Sequence, residues 1–127
     1  MTLLRRLDPW LLPLLLMAVI YYLSDQPGLS SGLGLVDTIG RKFVHAFEYA
    51  LLCGLWWRAL RTRMAPGAAL APALVVTIVY AVTDESHQTF VEGRNGLVLD
   101  VVIDALAAAV AVLAIRRRIT RRATATR

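Results

Sequence analysis

The stretch "YAVTDESHQTFVEGRNGLVLDVVIDALAAAVAVLAI", Tyr80–Ile115, begins and ends as apolar helix, yet it carries Asp84, Glu85, His87, Glu92, Arg94, Asp100 and Asp104 in between. Its last part, about 97–115, approaches the roughly 20 apolar residues that cross a hydrocarbon layer of about 30 Å. Three more apolar segments precede it, at about 9–23, 43–60 and 66–83. In lipid each must be helical, because no water is there to satisfy a bare backbone. The predicted fold is therefore all-α: an integral membrane bundle of four transmembrane helices. It forms a single domain over 1–127, with a basic tail at 116–127.

Composition points the same way. The 127 residues are 57% hydrophobic, with a mean hydropathy of +0.59. A water-soluble chain of this length needs more polar residues to cover its surface. Cys53, the single cysteine, lies in an apolar run, can form no internal disulfide and reads as a small core hydrophobe. The formal charge is +5. Its arginines flank apolar segments without interleaved aromatics, so no nucleic-acid partner is expected. Arg5 and Arg6 could open a signal peptide, but bulky Tyr21, Tyr22 and Leu23 stand where cleavage wants small residues. The first segment is expected to remain as a helix.

The arginines also give an orientation. Arg5 and Arg6, then Arg58, Arg61 and Arg63 in the second link, then Arg116, Arg117, Arg118, Arg121, Arg122 and Arg127 in the tail hold most of the positive charge. The first and third links hold only Arg41, Lys42 and Arg94. The positive-inside rule then puts both termini in the cytoplasm, which needs an even number of crossings. The expected location is a membrane crossed several times, with membrane lipids as partners. The Gly- and Ser-rich link 24–41 reads either as a short interfacial helix or as a loop. The tail reads either as a basic helix end or as frayed chain near anionic lipid heads.

Placed by depth, the ionisable residues form a layer. At 1.5 Å per residue, His45 lies about 4.5 Å and Glu48 about 9 Å below Lys42 on the second segment. Asp84, Glu85 and Gln88 lie at the same end of the third. Asp100 and Asp104 enter the fourth by about 6 and 12 Å. Lys42, His45 and Tyr49 share a helix face with Glu48 on its flank, and if the third segment stays helical past Thr83, Asp84 shares one with Gln88. Asp100 and Asp104 line up with Ala107 and Ala111, a stripe that suggests close helix contact. A charge facing lipid at mid-membrane costs roughly 3 kcal/mol even on the lenient insertion scale. These groups must therefore face each other, or a wet pocket. His87 and Glu92 read as surface residues, and Trp10, Tyr21, Tyr22, Trp56 and Trp57 as interface belt or bundle packing.

The pieces "SDQP", "RKFVHAFEYALL" and "DESHQTFVEGRNGLVLDVVIDALA" resemble the VanZ-like membrane proteins, named for an accessory protein of glycopeptide (teicoplanin) resistance in bacteria. The family pattern of Lys-x-x-His-x-x-x-Tyr, Asp-Glu-x-x-Gln, then Arg and Asp falls here on Lys42, His45, Tyr49, Asp84, Glu85, Gln88, Arg94 and Asp100. Arg41 stands where the family often has an acid, and Asp104 where it has Asn. The resemblance implies a place in the bacterial cytoplasmic membrane, a cell-envelope role and an effect on antibiotic susceptibility. It implies no agreed substrate or reaction.

Several functions fit these residues. In the first, Lys42, His45, Glu48, Tyr49, Asp84, Glu85, Gln88, Arg94, Asp100 and Asp104 form an outer-leaflet pocket or polar network. It would bind a lipid-linked or peptidic cell-wall component, or an envelope protein, without catalysis. In the second, an intramembrane hydrolase or transferase uses His45 as general base, oriented by Glu48 or Asp84. Lys42 and Arg94 would then stabilise the transition state. Arg94 alternatively clamps Asp84 or Asp100. A metal set of His45, Glu48, Asp84 and Glu85 has no tight ligand spacing, so no metal and no cofactor is expected. In the plainest reading the network only specifies packing.

Overall fold

The computed structural model describes residues 8–26, 32–91, 93 and 98–126. Among the described residues there are four α-helices and no strand: α1 (Leu11–Asp25), α2 (Leu35–Leu60), α3 (Leu70–Gln88) and α4 (Val98–Ala125). The all-α expectation is met. Pro13 and Pro72 each fall within the first helical turn, where a missing backbone N–H costs nothing because it would have no partner.

Three helices run further than the hydropathy suggests: α3 passes the expected end at 83 and reaches Gln88, and α2 and α4 are longer still. α2 begins at Leu35 rather than near 43, so the second half of the 24–41 link is helix. Gly34, at φ 54°, makes the turn into it, and Thr38 Oγ1 donates to the Gly34 carbonyl at 3.3 Å. Asp37 lies in the first turn, where a carboxylate favours the helix dipole. α4 continues from its apolar part through the arginine run to Ala125, so the basic tail is a helix end. α4 is long and apolar enough to cross a membrane; α1 is apolar but only 15 residues long.

Helices α2, α3 and α4 each pack on the other two, and α1 packs on α2 and α3. Two apolar clusters hold them. Ile20, Tyr49, Leu52 and Ala81 join α1, α2 and α3. Cys53, Ala73 and Ala108 close the three-helix seam, with Trp56, Trp57, Leu60, Ala111 and Val112 around them. Small residues at the seam let the backbones approach. On α4 the deepest positions are Asp104 and Ala108, so the buried stripe runs one residue round from the expected Ala107.

The exterior is the reverse of a water-soluble one. Phe43 and Phe47 are 72% and 69% exposed, and Val79, Leu106 and Val110 also point outward. Asp84, Glu85, Gln88 and Asp104 are buried. Burying acids while exposing so many large apolar side chains is unfavourable in water.

Candidate functional site

The polar residues gather where α2 and α4 begin and α3 ends. Helix periodicity puts them there: Lys42, His45 and Tyr49 lie on one stripe of α2, Asp84 and Gln88 one turn apart on α3, and Asp100 and Asp104 one turn apart on α4. α2 and α4 run parallel with α3 antiparallel to both, and their packing turns these stripes toward one another.

At the mouth, Lys42 Nζ pairs with Asp100 Oδ1, both half-buried. Deeper, His45 Nδ1 faces Asp104 Oδ2 at 3.9 Å, too far for a hydrogen bond. Deeper still, Tyr49, fully buried, donates its hydroxyl to Asp84 Oδ2 at 3.0 Å. Gln88 Nε2 donates to the same oxygen at 3.2 Å and to Ser24 Oγ at 3.0 Å. One carboxylate thus ties α2 to α3, and one amide ties α3 to α1. A cavity of about 240 Å³ opens over this layer; Lys42, His45, Glu85, Gln88, Asp100 and Asp104 are among its lining residues.

The structure therefore brings Lys42, His45, Tyr49, Asp84, Glu85, Gln88, Asp100 and Asp104 to one region. Glu48 is half-buried on the flank of α2, beside a second opening that it shares with His45 and Val44. It does not take Lys42 or His45 as a partner; those go to Asp100 and Asp104. Arg94 and Glu92 lie outside the described residues, so the expected clamp of Arg94 on Asp84 or Asp100 does too. Asp84 and Asp100 nonetheless have other partners, Tyr49 with Gln88 and Lys42 respectively.

Sequence reasoning misses three contributors. Ser24 is buried and accepts from Gln88. Asp25 Oδ1 lies 3.0 Å from His87 Nε2, and the His87 ring stacks on Tyr21 with centroids 4.8 Å apart. His87 is thus a half-buried link between α1 and α3 rather than a plain surface residue. In the sequence Ser24 and Asp25 stand out only as the start of the "SDQP" piece, which does not reveal their partners on α3. Arg41 and Thr38 also border the cavity.

Asp84 Oδ1 and both Oδ1 and Oδ2 of Asp104 are buried without a hydrogen-bond partner. Among the described residues, one group of side chains could hold a metal ion, namely His45, Glu85 and Asp104. Chemically the layer offers a cation at its mouth, an imidazole and a carboxylate below, and a hydrogen-bonded base of Tyr49, Asp84 and Gln88. The family model described as VanZ/LLP1 matches residues 9–120 of the chain. No curated protein and no solved structure matches it.

Proposed function

The chain belongs to the VanZ/LLP1 family, and from that premise we propose a multi-pass protein of the bacterial cytoplasmic membrane whose polar cavity binds the head of an envelope component. The four helices cross the bilayer as one domain, both termini are cytoplasmic, and the cavity opens in the outer leaflet. The observation that carries this reading is the inverted surface: buried Asp84, Glu85, Gln88 and Asp104 inside a shell of exposed Phe, Leu and Val. The arginines of the 58–63 link and of 116–122 stand at the opposite end from the cavity, which fits the positive-inside rule.

The ligand is a lipid-linked or peptidic cell-wall component. Its acyl part would lie along the apolar exterior while its polar head enters between Lys42, Thr38 and the acids. Occupying such a component changes what a glycopeptide antibiotic can reach, which connects the cavity to teicoplanin susceptibility. The test uses proteoliposomes and a lipid-linked peptidoglycan precursor, with a photo-reactive side chain at Thr38. Cross-linking that is competed by unlabelled precursor is expected, with affinity about tenfold weaker in Lys42→Ala, a difference of about 1.4 kcal/mol. Cross-linking that competitor does not reduce would overturn the reading.

A second reading, intramembrane hydrolysis or group transfer, draws on His45 facing a buried carboxylate. In that case Asp104, rather than Glu48 or Asp84, would orient the general base. Purified protein that turns over no envelope lipid or lipid-linked precursor would remove it.

A further inference from the structure

Each helix of the three-helix core sends one metal-ligand side chain to the same point. His45 comes from α2, Glu85 from α3 and Asp104 from α4, and one donor atom of each lies within 4.8 Å of the others. No sequence spacing reveals this, because the three residues are brought together only by packing. All three line the cavity.

The decisive group is Asp104. It is 1% exposed, and neither carboxylate oxygen has a hydrogen-bond partner. His45 Nδ1 is also buried without one, across a gap of 3.9 Å. That gap is too long for a hydrogen bond but suits two ligands of one ion. Metal–nitrogen and metal–oxygen bonds of about 2.0–2.2 Å put two ligand atoms about 3–4.4 Å apart. Lys42 is committed to Asp100, and Asp84 takes donors from Tyr49 and Gln88. A carboxylate buried without a donor is costly, and a cation placed between it and the imidazole would offset that cost.

We propose that His45, Glu85 and Asp104 bind a first-row divalent transition-metal ion between α2, α3 and α4. The two carboxylates balance the charge of the ion. The imidazole favours a metal of the zinc or iron type over magnesium, which prefers oxygen alone. Three protein ligands leave coordination positions open toward the cavity, as in metal sites that bind or activate another molecule. Bundle cores commonly build metal sites this way, from acids and histidines on facing helices. The inference concerns the ion alone and does not depend on which envelope component enters the cavity.

The test uses the full chain purified in detergent without a polyhistidine tag, and Zn²⁺ as the probe. Zinc content after gel filtration and a calorimetric titration are read together. One equivalent per chain is expected. Affinity should fall at least about 100-fold in Asp104→Asn and in His45→Gln, a larger loss than changes around a metal's ligands produce. It should be retained in His87→Gln, which alters the other histidine. Zinc should also raise the melting temperature of the metal-free wild type by mass action, and not that of the two ligand variants. If Asp104→Asn loses helical content, His45→Gln carries the comparison. Folded wild type that takes up no stoichiometric zinc, or equal zinc affinity in wild type, Asp104→Asn and His45→Gln, would overturn the proposal.

Discussion

The two halves of the three-helix seam are held by different physics. In the half nearer the arginines, Cys53, Ala73 and Ala108 meet through small side chains, and stability comes from close backbone approach. In the other half, Tyr49, Asp84, Gln88 and Asp104 meet through polar groups that need particular partners. The first half constrains volume and the second constrains chemistry. A seam of alanines offers nothing to a ligand, whereas a polar layer with orphaned oxygens does. Function is therefore expected in the half that is less satisfied.

Substitutions can break that comparison, and their order follows from it. The largest effect on stability is expected at Ala108, which is fully buried at the seam. Ala108→Leu should cost about 3 kcal/mol, the upper end for an overpacked core, read as a shift in denaturant-induced unfolding from detergent micelles. Asp84→Ala removes the acceptor shared by Tyr49 and Gln88 and should cost about 2 kcal/mol, whereas Asp84→Asn, which keeps an acceptor, should recover most of it. Tyr49→Phe deletes one interhelical donor and should cost about 1 kcal/mol, within the range for such bonds in membranes. Smallest is His87→Ala at the α1–α3 link, where the partner Asp25 is largely exposed. A loss of about 0.5 kcal/mol or less is expected there in the same unfolding assay. If Ala108→Leu were silent while Tyr49→Phe unfolded the protein, the division into a packed half and a polar half would be wrong.

Much of the polar layer is legible in the sequence. Depth along each segment puts Lys42, His45, Asp84, Asp100 and Asp104 in one layer, and helical spacing puts Asp84 and Gln88 on one face; within that layer the structure joins Lys42 to Asp100 and Gln88 to Asp84. What periodicity cannot supply is the rotation of one helix against the next. That rotation depends on which ridges enter which grooves. It decides that His45 faces Asp104 rather than Glu48, and that Ala108 rather than Ala107 lies deepest. The early start of α2 is obscured because "GLVDTIG" is only weakly apolar and contains glycine, although Asp37 at its first turn favours a helix. Ser24 is hidden for a different reason. A lone serine at a helix end reads as solvated until another helix is known to stand over it.

The central claim is that these helices turn their acids inward and give their apolar faces to lipid. It is tested most directly by proton cross-relaxation between side chains and lipid acyl chains, for isotope-labelled protein in lipid nanodiscs. The account predicts acyl-chain contacts at Phe47, Val79 and Val110 and none at Tyr49 or Ala108. Acyl contacts at Tyr49 and Ala108, with water rather than lipid at Phe47 and Val110, would contradict it.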